Sequence, residues 1–171
     1  MIVIQELHQY EDELRPAKPS PDHEWNGEQW VVDALNVSVS QQQEGERLSA
    51  RIDAAADDAR NVIAGDPLRA MEYAQAAADA QAYIDEGYPK KVVPLAVSAW
   101  VVKGRTARQA ADQIVAKAAQ FNESLLTLRT LRLKAKQQVK VHIAKGKTEL
   151  ANQVSDDAIA AIRAVVSDFA G

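Results

Sequence analysis

The sequence predicts a mainly α-helical protein, built of antiparallel helical hairpins or a bundle with long helices and preceded by a small N-terminal β-hairpin module. Three observations carry this. The 171 residues are 47% hydrophobic but only 5% aromatic, and much of the apolar fraction is alanine, which suits helices better than sheets. Beyond Asn36, apolar residues recur at spacings of three and four, the period of a helix buried on one face. Before that point Pro16, Pro19 and Pro21 interrupt regular structure, and Trp25-Asn26-Gly27-Glu28 places Asn-Gly where a two-residue turn joins two strands. The boundary is set near Asp33 to Asn36, giving a module of residues 1–35 and an Ala-rich helical domain of residues 36–171.

With Asn26 and Gly27 as the loop, Trp25 pairs with Glu28 and His23 with Trp30. His23, Trp25, Glu28, Trp30 and Val32 then project from one face, which carries both indoles. Ile2 to Ile4 form a candidate third strand. Ser38 with Gln41, and Ser40 with Gln43, are alternative capping boxes for a helix over Gln41 to Ala64 whose seam is Leu48, Ile52, Ala55, Ala59 and Val62. Gly65-Asp66-Pro67 ends that helix and opens the next, with Asp66 as N-cap and Pro67 at the first helical position. Its seam of Ala70, Ala74, Ala77, Ala80 or Gln81, and Ile84 stops at Gly87. Pro94 opens a short helical unit carrying Val97, Trp100 and Val101, closed by Gly104, and Trp100 is expected to plug the helical core. Thr106 caps the longest stripe, Ala107, Ala111, Ile114, Ala118, Phe121, Leu125 and Leu128, in a helix that reaches Ala144 before Gly146 breaks it. Ser155 with Asp156 and Asp157 opens a final helix, the acids favoured by its dipole, and Ile159, Ile162, Val166 and Phe169 share a face.

Reactive constellations are missing from the sequence. There is no cysteine, so thiolate nucleophiles and Cys-ligated metals drop out. His8, His23 and His142 are scattered over separate elements, and neighbouring acids such as Asp57 and Asp58 point in different directions on a helix. Phosphate-binding glycine loops, G-x-S-x-G and H-E-x-x-H do not occur. The chain is read as a non-enzyme with no cofactor and no metal. No basic-then-apolar leader opens it, and no apolar stretch of membrane-spanning length occurs, so neither a signal peptide nor a membrane partner is expected.

The formal net charge of −4 hides a strong asymmetry. Residues 1–86 carry 18 acidic and 6 basic side chains, whereas residues 87–171 carry 6 acidic and 14 basic ones. Arg129, Arg132, Lys134, Lys136 and Lys140 belong to a segment without an acid from Ser124 to Thr148. Three readings stay open: complementation by the acidic half within or between chains, docking to an acidic protein, and phosphate contact in nucleic acid. The last ranks lowest, because aromatics are not interleaved and the chain is acidic overall. A helix, Gly-containing turn and helix over Val93 to Ile114 also invites a DNA-binding reading, but such turns are common in helical hairpins. The Trp pair has two readings: the mini-core of the N-terminal module, or a partner-binding anchor formed by His23, Trp25, Asn26, Gly27 and Trp30. Long seams of three and four also suit self-association into a homo-oligomer.

The stretch Lys18-Pro-Ser-Pro-Asp22-His-Glu-Trp25-Asn-Gly-Glu-Gln-Trp30-Val-Val-Asp33 resembles the Pro-rich lead and W-x-G-x-x-W of small tail proteins of tailed bacteriophages, notably tail-fibre assembly proteins. Ala82-Tyr83 to Gly87, Val93-Pro94, Trp100, Gly104, Thr106, Ala110-Ala111, Ile114 and Leu128-Arg129-Thr130-Leu131-Arg132 look like the helical region of similar prophage tail proteins. Together these stretches cover about half the chain. The resemblance implies a chaperone that helps a fibre assemble, or a fibre-associated component. Its partner would be a tail or tail-fibre protein, met in the host cytoplasm during assembly and in the virion tail if the protein is retained there. The basic helix from Leu125 to Lys145 departs from the short C-terminal region of assembly chaperones and favours a persistent structural role in the tail or baseplate.

Overall fold

Asp33 decides where the helical part begins. Its carboxylate accepts the backbone N–H groups of Leu35 and Asn36 at 3.3 and 3.2 Å, satisfying two of the donors that a helix start leaves unpaired. Helix α1 therefore runs Ala34–Ala64, a full turn ahead of the Ser38 and Ser40 capping boxes expected from sequence. Ser40, inside the helix, instead donates its hydroxyl to the Asp22 carboxylate, and the Asp33 N–H bonds the Asp22 carbonyl at 2.8 Å. Those two contacts tie the N-terminal strands to α1.

The computed structural model describes residues 7–10 and 13–170. Two antiparallel hairpins come first: β1 (Leu7–Tyr10) with β2 (Glu13–Pro16), and β3 (His23–Trp25) with β4 (Trp30–Val32). Only the second was expected. The first has a polar sequence without Asn-Gly, so neither alternation nor turn chemistry announces it. The candidate strand Ile2 to Ile4 lies outside the described residues. After α1 come α2 (Pro67–Asp85), α3 (Leu95–Ala99), α4 (Ala107–Ala144) and α5 (Thr148–Ala170).

α1, α4 and α5 form an up-down-up bundle. Gly45 packs on Ile143 while Asp53 meets Arg132 and Lys136, so α1 and α4 run antiparallel. Asn152 meets Arg47, and Asp156 meets Arg51, so α5 runs parallel to α1. The core between them holds Leu48, Ile52, Ala56, Ala59 and Ile63 of α1, Leu128, Ala135 and Val139 of α4, and Ala151, Ala158 and Ile162 of α5. α1 touches two helices at once, which rotates its buried face: Ala56 and Ile63 are inside, Ala55 is half-buried and Val62 is 65% exposed, against the expected seam. The expected α4 stripe is buried or half-buried throughout. The N-terminal part of α4 serves a second, smaller core with α2 and α3, built on Ala80, Tyr83, Val97, Ala110 and Ala111. Ala74, expected on the α2 seam, is exposed, and Tyr83 takes the inner position.

Glycine sets two of the reversals. Lys145 is the C-cap of α4 and Gly146 adopts φ 67°. The Gly146 N–H then bonds the Ile143 carbonyl and the Lys147 N–H that of His142, both at 2.9 Å, a Schellman closure. α2 ends in the same way, with Gly87 at φ 77° and the Tyr88 N–H on the Tyr83 carbonyl at 3.0 Å. Because the α4 closure needs so few residues, α5 starts at Thr148, about two turns before the expected Ser155. Ser155 is consequently buried inside the helix and Asp156 bonds Arg51 at 2.9 Å, so neither Asp156 nor Asp157 is a first-turn acid. Elsewhere Asp66 caps α2 with Pro67 at its first position, and Thr106 with Gln109 forms the expected capping box of α4.

α3 is shorter than expected and ends at Ala99, too short to serve as one arm of the helix-turn-helix unit read over Val93 to Ile114. Trp100 does not plug the core; it is 41% exposed. Arg105 and Lys117 lie over its ring at 5.2 and 5.3 Å from the centroid, and this cation–π arrangement holds the indole at the surface.

Candidate functional site

Asn26 organises the aromatic hairpin. Its side-chain oxygen accepts the N–H groups of Glu28 and Gln29 at 3.0 and 2.9 Å, and its own N–H bonds the Gln29 carbonyl at 3.1 Å. Gly27 supplies φ 104°, a conformation that side chains disfavour. The loop is thereby four residues, Asn26 to Gln29, rather than the two-residue turn expected. Register follows: Trp25 pairs with Trp30, Glu24 with Val31 and His23 with Val32. The expected pairs Trp25 with Glu28 and His23 with Trp30 are corrected, and Glu28 leaves the strand face for the loop. A shift of two residues preserves facing, so both indoles still share one surface.

The two rings meet edge to face, centroids 5.4 Å apart, a favourable aromatic geometry. Both are half-buried. The Trp30 Nε1–H donates to the Pro16 carbonyl at 2.7 Å, the Arg15 guanidinium lies 5.4 Å from the Trp25 centroid, and the Lys18 ammonium lies 5.8 Å from that of Trp30. These contacts bind β2 and the Pro-rich lead to the indole pair, so Trp25 and Trp30 organise the small module and also border its surface. His23 shares a 2.9 Å hydrogen bond with the Ser20 hydroxyl through Nδ1, within a turn that also carries the His23 N–H to Ser20 carbonyl bond at 3.2 Å. That turn orients the ring through the Ser20 hydroxyl.

The basic segment divides in two. Arg132 meets Asp53 at 3.3 Å and Lys136 bonds the other oxygen of the same carboxylate, across the α1–α4 contact. All three side chains are between one quarter and about one third exposed, and the pairing matches complementation of the basic segment by the acidic half. Arg129, Lys134 and Lys140 are exposed and make no ion pair among the described residues. The structure does not join this segment to the Trp hairpin as one site.

Among the described residues no group of three or more histidine, aspartate or glutamate side chains is placed to hold a metal ion, and no helix is long and apolar enough to cross a membrane. Asp57 pairs with Arg60 instead of forming a carboxylate couple with Asp58. Sequence reading missed Arg15 and Lys18 as covers of the indoles; their place just before W-x-G-x-x-W was the available signal. It also missed Asp53, whose partners lie 79 and 83 residues away and leave no local trace. Neither a protein-family model, nor a curated protein, nor a solved structure matches the chain.

Proposed function

We propose that the protein works by protein–protein contact in tail-fibre assembly or attachment of a tailed bacteriophage, with the Trp25–Trp30 hairpin as contact element and the helical bundle as scaffold. The observation that carries this reading is the cross-strand Trp25–Trp30 pair, held in register by Asn26 and half-buried at the surface of the module. A rigid aromatic pair that keeps part of its area in solvent loses little conformational entropy on binding, and tryptophan is enriched among residues that dominate interfaces. The phage context rests on the resemblance of W-x-G-x-x-W and its Pro-rich lead. A purely structural tail or baseplate subunit would use the same surface permanently. Phosphate contact by Arg129, Lys134 and Lys140 is the weaker reading, since Arg132 and Lys136 are engaged by Asp53.

The test is co-expression of the full chain with the product of the tail-fibre gene that this reading places beside its own, followed by light-scattering mass. A stable co-complex is expected, and Trp25→Ala with Trp30→Ala should abolish it while far-ultraviolet circular dichroism keeps the helical signal. Absence of a complex with the unaltered chain refutes the fibre reading. A complex that survives the double substitution removes the hairpin as its anchor.

A further inference from the structure

Where α1 hands over to α2, the two cores leave a cavity of about 500 Å³ between them, within the size range of small-molecule pockets. Ile63, Ile114, Phe121 and Phe169 supply apolar wall, and Tyr73 and Trp100 border it. Phe121 and Phe169 meet edge to face, centroids 6.4 Å apart. We infer that this cavity binds a small amphipathic anion, an apolar body with one carboxylate or similar head.

Charge selects that class. Arg69 from α2 and Lys117 from α4 line the cavity, and among the described residues no carboxylate side chain does. Neither cation makes an ion pair among the described residues, whereas Arg47, Arg51, Arg60, Arg132 and Lys136 all do. Asp66 and Asp168 adjoin the lining residues Gly65 and Phe169 in sequence but do not line the cavity themselves, so the charged side chains that face it among the described residues are Arg69 and Lys117. This positive mouth belongs to a chain of net charge −4, so it is a local arrangement and not a reflection of overall charge. Trp100, which borders the cavity, carries Lys117 over its ring at 5.3 Å, which keeps that ammonium at the rim. A neutral apolar ligand leaves both charges unused, and a cationic one meets them as like charges.

Isothermal titration of the full chain with decanoate and with decyltrimethylammonium, both below micelle formation, tests this. Decanoate is expected to bind saturably at one per chain and about tenfold or more tighter than the cation, the scale of one charge-assisted contact. Arg69→Gln with Lys117→Gln alters two exposed side chains; it should weaken decanoate binding about tenfold or more and leave the helical signal and melting midpoint unchanged. No saturable decanoate binding, equal affinity for both amphiphiles, or undiminished binding by the folded double variant each overturns the inference. The comparison of the two amphiphiles on the unaltered chain needs no variant. The test involves neither Trp25, Trp30 nor a fibre protein, so its failure leaves the proposed contact function untouched.

Discussion

Leu125, Leu126 and Leu128 sit within one turn of α4, yet the bundle treats them differently. Leu128 is completely buried, Leu125 is half-buried at the edge of the same core, and Leu126 is 63% exposed. Truncating Leu128 to alanine removes three carbons from the interior, about 2.4 kcal/mol of transfer free energy at about 0.8 kcal/mol per carbon group. The void adds to this, because the packed helices around Leu128 relax into it only in part. Leu128→Ala should therefore cost about 3–4 kcal/mol. Leu125→Ala should cost about half as much, and Leu126→Ala less than about 0.5 kcal/mol. Urea unfolding of the three variants followed by circular dichroism at the helical band measures the differences. A loss at Leu126 equal to that at Leu128 would place the wrong face of α4 inward and refute the bundle arrangement.

Two further predictions concern charge. Asp53→Ala leaves Arg132 and Lys136 facing α1 as uncompensated, partly covered cations, and should cost about 1–2 kcal/mol at low salt, shrinking as salt screens their repulsion; an unchanged unfolding curve in dilute buffer would mean that the Asp53 contacts contribute nothing. Glu44 is held below the ordinary glutamate value of 4.5, chiefly by its hydrogen bond from Arg47 and, less strongly, by that from Asn152, against an opposing effect of burial. A lowered folded-state pKa gives stability that is present above 4.5 and lost as pH falls through the folded value. The melting-point gap between the unaltered chain and Glu44→Gln should accordingly be open at neutral pH and close below pH 4.5; a gap that stays constant into acid would remove the Glu44 carboxylate as its source.

Local chemistry was readable in the sequence wherever it determines structure by itself. Asp66 before Pro67, and Thr106 before Gln109, define helix starts without reference to anything distant, and every residue of the α4 stripe from Ala107 to Leu128 is buried or half-buried. Reading failed where long-range packing chose among local options. Ser40 offered a credible cap, but the nearby Asp33 captured the helix start and Ser40 was used to hold Asp22. Ser155-Asp156-Asp157 has the composition of a helix start, yet the Gly146 closure is short enough to start α5 earlier. Val62 and Ile63 are both apolar, and only the simultaneous contact of α1 with α4 and α5 selects Ile63. At the hairpin, Asn-Gly announced the turn, while the hydrogen bonds of the Asn26 side chain widened it to four residues and reset the register.

The two proposed binding features lie at opposite ends of one rigid element. The hairpin is tied to the start of α1 through Asp22, Asp33 and Ser40, and the cavity opens beside its end at Ile63 and Ala64. Thirty-one helical residues separate them by roughly 46 Å at 1.5 Å per residue. From about Glu44 to Ile63, α1 packs against both α4 and α5, so the stretch between the two features is held in the bundle. The bundle core is also the better furnished of the two, with Leu48, Ile52, Leu128, Val139 and Ile162 fully buried, whereas among the described residues Tyr83 and Val97 are the only buried side chains of the α2–α3 core larger than alanine. Apolar burial is therefore concentrated between the two features, and the thinner core adjoins the cavity. This distribution places the denser apolar packing along the bundle and leaves the α2–α3 side of the cavity as its less densely packed wall.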